Sequence, residues 1–188
     1  MANQSSGRTS SSDPLRIDEI AVGGTGGTIG MTLCPGRRDN FSVEGTWDRD
    51  LAADITIVSA WKPDLILTLV EHSEFALLGV PSFYDSMLRA NLPWRHLPIR
   101  DAGVPDPSFE EAWLTTGSEA RAILKRGGRI LLHCRAGLGR TGMIAARLLV
   151  ELGSTPGTAI SAVRGARNGT IETQAQERHV YGIKKAKV

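Results

Sequence analysis

One stretch, residues 129–142, constrains the chain more than any other: Arg-Ile-Leu-Leu-His-Cys-Arg-Ala-Gly-Leu-Gly-Arg-Thr-Gly. Its apolar run, Ile130-Leu131-Leu132, reads as a buried strand. Glycines follow at 137, 139 and 142, and then the apolar residues 143–152, which read as a helix buried nearly all round. A buried strand feeding a glycine-rich loop that opens a helix is the layout of an anion site. Backbone N–H groups converge in the loop, and the helix N-terminus adds positive potential. A strand apolar on both faces belongs in a sheet covered on both sides. The expected class is therefore α/β, with a central, mostly parallel sheet flanked by helices on both faces.

The loop carries more than glycine. Cys134 stands at its entry and Arg140 six positions on. A thiol is a useful nucleophile as thiolate, and N–H dipoles, a helix N-terminus and a nearby arginine all favour that form. Arg140 offers a planar fork that can hold two phosphate oxygens at once, which lysine cannot copy. Thr141 can set a hydroxyl beside the sulfur and favour it as a leaving group. His133 can orient the loop through its ring nitrogens. Two other readings compete. A lone cysteine after a strand is commonly a packed, inert residue. Gly137-Leu-Gly139-Arg-Thr-Gly142 also satisfies the dinucleotide spacing. That fingerprint wants a second strand ending in an acid about 20 residues on, whereas residues 155–167 read as another helix.

The set His133-Cys134-x-x-Gly137-x-x-Arg140-Thr141-Gly142 resembles the active-site signature of the cysteine-dependent protein tyrosine phosphatase superfamily. Arg135-Ala136-Gly137-Leu138-Gly139 is similar to its dual-specificity branch, nearest to the kinase-associated and mitotic-exit phosphatases. The resemblance implies that Cys134 is the nucleophile. It also implies that residues 135–140 (Arg135, Ala136, Gly137, Leu138, Gly139 and Arg140) bind the phosphate. It implies a general acid on a Gly/Pro loop upstream. Asp101, in Arg100-Asp101-Ala102-Gly103-Val104-Pro105-Asp106-Pro107, stands where that branch carries Asp-Gly-x-x-Pro, with Ala102 replacing the first glycine. Asp106 is the runner-up. Ser108-Phe-Glu-Glu111 reads as a capping box, which assigns the next helix's cap to Ser108. Downstream, Ile171-Glu172-Thr173-Gln-Ala-Gln176 is similar to the family's later segment, and Gln176 matches a residue that orients the attacking water in some members.

The expected activity is hydrolysis of phosphotyrosine, and of phosphoserine and phosphothreonine if the pocket is shallow, through a phosphocysteine intermediate. No cofactor and no metal is expected, because the loop and Arg140 supply the positive charge. The alternatives are a catalytically silent phosphatase fold that binds phosphoproteins, and a phosphoinositide phosphatase. Arg135 supplies one basic loop residue for the latter, but Leu138 stands where lipid-directed relatives tend to carry another.

Composition sets the outer limits. The chain has 188 residues, 41% hydrophobic and 22% charged, with a net charge of +2. This is the profile of one globular domain, with nothing that points to nucleic acid. No apolar run is long enough for a membrane span. Cys34 and Cys134 make no disulfide framework, so a reducing cytoplasm is expected, and a monomer acting on a phosphoprotein. Cys34 is either packed or a backup thiol for Cys134. Residues 1–14 have little to bury and read as a disordered tail, 15–183 as the single domain, and 184–188 as a frayed basic tail. Gly23 to Thr28 reads as a hairpin between two short strands. Trp47, Leu51, Ile55 and Val58 recur at helical spacing. Residues 64–70 and 94–99 read as strands, with short helices near 71–78 and 83–90. A longer helix is expected over 109–125.

Overall fold

The computed structural model describes residues 7–40 and 45–186. In chain order it places β1 (Asp18–Ala21), β2 (Thr28–Thr32), β3 (Arg38–Asp39), β4 (Trp47–Asp48), α1 (Leu51–Trp61), β5 (Leu65–Thr68), α2 (His72–Leu77), α3 (Phe83–Arg89), β6 (Trp94–His96), α4 (Pro107–Lys125), β7 (Arg129–His133), α5 (Gly139–Glu151), α6 (Pro156–Ala166) and α7 (Gln174–Gly182). Five strands form one sheet in the order β1-β2-β7-β5-β6. The hairpin β1/β2 is antiparallel, and the other three pairings are parallel. The expected mostly parallel α/β sheet is the one found.

Strand β7 sits in the middle because its side chains are apolar on both faces. Ile130 and Leu132 join a core with Phe109, Trp113, Ile144, Leu148 and Ile160 from α4, α5 and α6. Leu131 points the other way, into a second core with Ile55, Val58, Phe75, Phe83 and Met87 from α1, α2 and α3. Strand β5 repeats the division, with Leu65 and Leu67 on the first side and Ile66 on the second. The period-two alternation thus sorts seemingly uniform runs into two layers. The parallel strands end on the same edge, so the loops after β5, β6 and β7 meet there.

Several expectations are corrected. Trp47 is not in the first turn of a helix: it pairs with Asp39 in the two-stranded sheet and lies under the guanidinium groups of Arg8 and Arg37, each 5.0 Å from its ring. Helix α1 starts at Leu51, with the Asp50 carboxylate accepting from the Ala53 N–H at 2.7 Å. Lys62 ends it in the left-handed region at φ 54°. Helix α4 is capped by Asp106, not Ser108: Asp106 accepts from the Phe109 N–H at 2.8 Å. Pro107 takes the first helical position, where a missing N–H costs nothing. Helix α5 begins at Gly139 rather than Met143, so part of the glycine loop is itself the first helical turn.

Parts of both expected tails have contacts with the domain. Residues 1–6 and 187–188 lie outside the described residues. Residues 7–14 are held in place: Arg8 bridges to Trp47, and the Ser10 hydroxyl donates to Asp54 at 2.8 Å. Few of these residues are apolar, so polar contacts to α1 substitute for burial. At the other end, the Ala186 N–H donates to the Glu151 carbonyl at 3.1 Å. Among the described residues, no helix is long and apolar enough to cross a membrane.

Candidate active site

The loop after β7 turns back under the sheet edge before α5 begins. Gly137 makes this turn possible at φ 71°, and a Cβ there would lie 2.3 Å from the Thr32 carbonyl oxygen of β2. Only glycine fits both constraints. Gly137→Ala is accordingly expected to destabilise the fold by about 1–3 kcal/mol and to displace the loop. Urea unfolding together with aryl phosphate turnover checks this, and wild-type values for both would refute it. The first bond inside α5 runs from the Gly142 N–H to the Leu138 carbonyl at 2.8 Å. The N–H groups of Gly139, Arg140 and Thr141 therefore have no acceptor within the helix. One of them is taken: Gly139 donates to the Glu172 carboxylate at 2.8 Å.

Arg140 is buried, 1% exposed, and fully oriented. Its Nη1 donates to Glu74 at 2.5 Å and to the Ile99 carbonyl at 3.0 Å. Its Nη2 donates to Glu74 at 2.9 Å and to Asp101 at 2.9 Å. Burial works against the charge, but the Glu74 hydrogen bonds and the Cys134, Glu74 and Asp101 charges outweigh it, so the pKa moves up from the ordinary arginine value. The guanidinium stays charged and aimed. Glu74 owes its place to the turn after β5, where Glu71 and Glu74 form a reciprocal cap on α2.

Asp101 sits across the cavity from the loop. Besides Arg140 it accepts from Arg135 at 3.2 Å, and its side chain is half exposed. The next residue, Ala102, takes φ 57°. A left-handed alanine is strained by about 1–2 kcal/mol, at the position where the similar branch carries glycine. Asp106 is elsewhere engaged. The Phe109 N–H and the Ser108 hydroxyl hold its carboxyl below the usual carboxylate range, as suits a cap and not a proton donor.

His133 is wholly buried behind the nucleophile candidate. The Trp94 indole N–H donates to the Thr68 hydroxyl at 2.6 Å, and that hydroxyl meets His133 Nε2 at 2.7 Å. The Thr68 hydroxyl thus links the indole to the imidazole, while His133 Nδ1 is buried with no hydrogen-bond partner among the described residues. Burial, with the charges of His96 and Arg140, pushes the His133 pKa down to about 3. The ring is a neutral strut at working pH.

Cys134, Arg135, Ala136, Arg140, Asp101 and Glu172 line one cavity of about 190 Å³. Cys134 is only 3% exposed. The Thr141 hydroxyl is buried and without a partner among the described residues. Leu138 precedes the helix, and its side chain does not line this cavity. Gln176 is fully buried behind the loop, beside Gly139, and is not among the residues lining the cavity. Its amide oxygen accepts from the Glu172 N–H at 2.9 Å, and its amide nitrogen donates to the Gly103 carbonyl at 3.2 Å. It therefore ties the acid loop to the segment before α7, and Glu172 takes the place on the wall. Sequence reasoning missed Glu74 and Glu172 in these roles, although the capping pattern Glu71-x-x-Glu74 was a signal for the first. Cys34 is buried, and its N–H donates to the Arg135 carbonyl at 3.1 Å. Burial, with Cys134 and Glu74 nearby, raises its thiol pKa far above the ordinary value, as in a packed residue.

Residues 64–154 match the family model described as a polymorphic toxin system DSP-PTPase phosphatase. The chain is 31% identical over 119 residues to the cyclin-dependent kinase inhibitor 3 of Homo sapiens, a match covering 62% of this chain and 55% of that protein. It is 39% identical over 80 residues to the tyrosine-protein phosphatase CDC14 of Saccharomyces cerevisiae, covering 41% of this chain and 14% of that one. The match thus spans little more than half the length of the first of these relatives. In fold it is similar to kinase associated phosphatase solved with its catalytic-site cysteine replaced by serine. There the TM-score is 0.78 at 24% identity, over 89% of this chain and 92% of that one. Tk-PTP in its active form gives a TM-score of 0.63 at 23% identity, over 87% and 93%.

Proposed function

We propose that this chain, which carries a dual-specificity phosphatase-like domain, hydrolyses phosphate esters of tyrosine, and of serine and threonine, in proteins. The observation that carries this reading is the meeting of Cys134, the Arg140 fork and Asp101 around one cavity, although they come from three separate segments.

The chemistry takes two displacements. The Cys134 sulfur attacks phosphorus, an S–P bond forms and the P–O ester bond breaks. The departing oxygen keeps the electron pair and takes a proton from Asp101. Water then attacks the same phosphorus and gives a proton to the Asp101 carboxylate. The S–P bond breaks, the pair returns to sulfur, and phosphate leaves. The Arg140 fork and the N–H groups of the loop, residues 135–140, hold the equatorial oxygens in both steps. Arg140 Nη2, which meets Asp101 here, exchanges that carboxylate for a phosphate oxygen when substrate enters. The buried Thr141 hydroxyl has its hydrogen available for the leaving sulfur. Gln176 acts at one remove, by placing the acid loop. A sequence with only two cysteines has no disulfide framework, which supports a reducing, cytoplasmic setting.

The test is hydrolysis of an aryl phosphate in the presence of chelator, followed by a panel of phosphotyrosine and phosphothreonine peptides. Metal-independent turnover supports the thiolate reading, and the panel divides tyrosine-only from dual specificity. Absence of all turnover would end the reading. Within it, Asp101→Asn is expected to slow turnover by about 10²–10⁴-fold, least with leaving groups that need no proton. Asp106→Ala should lower the melting temperature and leave turnover per folded molecule close to wild type. A larger rate loss at Asp106 than at Asp101 would reverse the assignment.

A further inference from the structure

A cavity of about 220 Å³ is lined by Glu71, Ser73, Leu77 and Leu78 together with Asp101 and Arg135. Asp101 and Arg135 line the catalytic cavity as well. The Arg135 guanidinium donates to the Asp101 carboxylate at 3.2 Å, so one ion pair borders both.

The end of α2 explains the apolar side of this cavity. The Leu78 N–H donates to the Glu74 carbonyl at 2.8 Å, and Gly79 then turns the chain at φ 66°. Leu78 points into the core at 1% exposure, whereas Leu77, one residue earlier, is left 65% exposed. A single exposed leucine is ordinary on a protein surface. Of the four exposed large apolar side chains, Leu77, Leu88, Leu114 and Tyr181, however, Leu77 is the one that lines either of these two cavities. The polar side is already answered. Glu71 accepts from the Asp101 N–H at 3.3 Å and takes part in the reciprocal cap on α2. Glu74 holds Arg140 with both oxygens, and Asp101 meets both Arg135 and Arg140. Water on Leu77 is what an incoming group can displace with gain.

We propose that this cavity is a specificity subsite for an aliphatic side chain of the protein substrate, leucine or methionine, within two residues of the phosphoresidue. The inference rests on the phosphatase reading above. An extended peptide advances about 3.3 Å per residue, and the two cavities share Asp101 and Arg135, so a near neighbour of the phosphoresidue is the part of the substrate that meets Leu77. A cationic side chain is the poorer fit. Glu71, Glu74 and Asp101 bring three negative charges, Arg135 and Arg140 bring two positive ones, and each carboxylate has its donors. An acidic side chain would face Glu71 with no free partner to offset the repulsion.

The experiment measures kcat/KM for a phosphotyrosine peptide in a serine and glycine background, with leucine, lysine or glutamate placed in turn at each position within two residues on either side. Wild type, Leu77→Gln and Ser73→Phe are compared, each normalised to its own aryl phosphate kcat/KM. Both substitutions fall on exposed positions of α2; the first removes the apolar lip and keeps a good helix former, and the second fills the cavity. Leucine at one position is expected to raise wild-type kcat/KM about tenfold over serine, through KM and not kcat. The preference should fall several-fold in Leu77→Gln and in Ser73→Phe, and should persist in added salt. Peptide turnover with no leucine preference at any position would overturn the subsite and leave the phosphatase reading standing. A preference unchanged in both variants would place the contact on another surface and overturn it too. Lysine favoured over leucine, with an advantage that fades in salt, would overturn the aliphatic assignment in favour of an ionic one. Aryl phosphate turnover with no peptide cleaved would remove the protein-substrate reading, and this inference with it.

Discussion

Cys134→Ser is expected to abolish turnover, a loss beyond about 10⁴-fold, while phosphate and phosphopeptide still bind. Serine is close in shape to cysteine, but its hydroxyl keeps its proton where a thiol ionises. The attack on phosphorus therefore loses its nucleophile and little else. The cradle does not depend on sulfur: Arg140 is fixed by Glu74 and the Ile99 carbonyl, and the turn is fixed by Gly137 against β2. Single-turnover assays with an aryl phosphate, together with calorimetric titration of phosphate, separate the two properties. Retained turnover in the serine variant would exclude Cys134 as nucleophile. A wild type that binds phosphopeptide and turns over nothing would favour the silent binding module.

Arg140→Lys is expected to cost about 10²–10³-fold in kcat although the charge is kept. The guanidinium serves Glu74 with both Nη groups, the Ile99 carbonyl with one and Asp101 with the other. An ammonium has three donors on one atom. It cannot satisfy Glu74 and the carbonyl while also presenting two parallel donors to phosphate. Glu74 is itself only 7% exposed, so its poorly matched carboxylate should also lower stability by about 1–3 kcal/mol. Activity is therefore to be measured at a temperature where circular dichroism shows the variant folded. A lysine variant with wild-type kcat would show that charge suffices and that the fork has no role in the transition state.

The loop and its setting were legible because their chemistry is local. Residues 130–142 carry their strand, their glycines and their helix within one short segment, and the period-two apolar runs fix a two-sided sheet. What was misread lies where a side chain answers to a distant partner. Trp47 matched a helical spacing, yet its ring packs under Arg8 and Arg37, which come from two other segments, with Arg49 of its own segment beside it. Ser108 and Glu111 matched a capping box, yet Asp106 with Pro107 behind it makes the cap. Residues 7–14 offer little to bury, and their contacts with α1 are polar. Gln176 stands at a recognisable spacing, but spacing does not say that its amide ties Glu172 to the Gly103 carbonyl. The wall position went to Glu172.

The amino-acid sequence alone determined the class of fold, the nucleophile candidate and the phosphate fork, because each follows from residue types held within a few positions of one another. It also ranked Asp101 above Asp106. Tertiary structure decided how the site is assembled. The parallel sheet brings the ends of β5, β6 and β7 to one edge, which sets Glu74 and Asp101 on Arg140 from 66 and 39 residues away. It also brings Arg8 and Arg16 beside Ala136, where they line a cleft of about 170 Å³ with Trp47 and Arg167. Those contacts depend on which strands lie side by side. That order is settled by burying two apolar faces at once, a property of the whole chain that no local pattern carries.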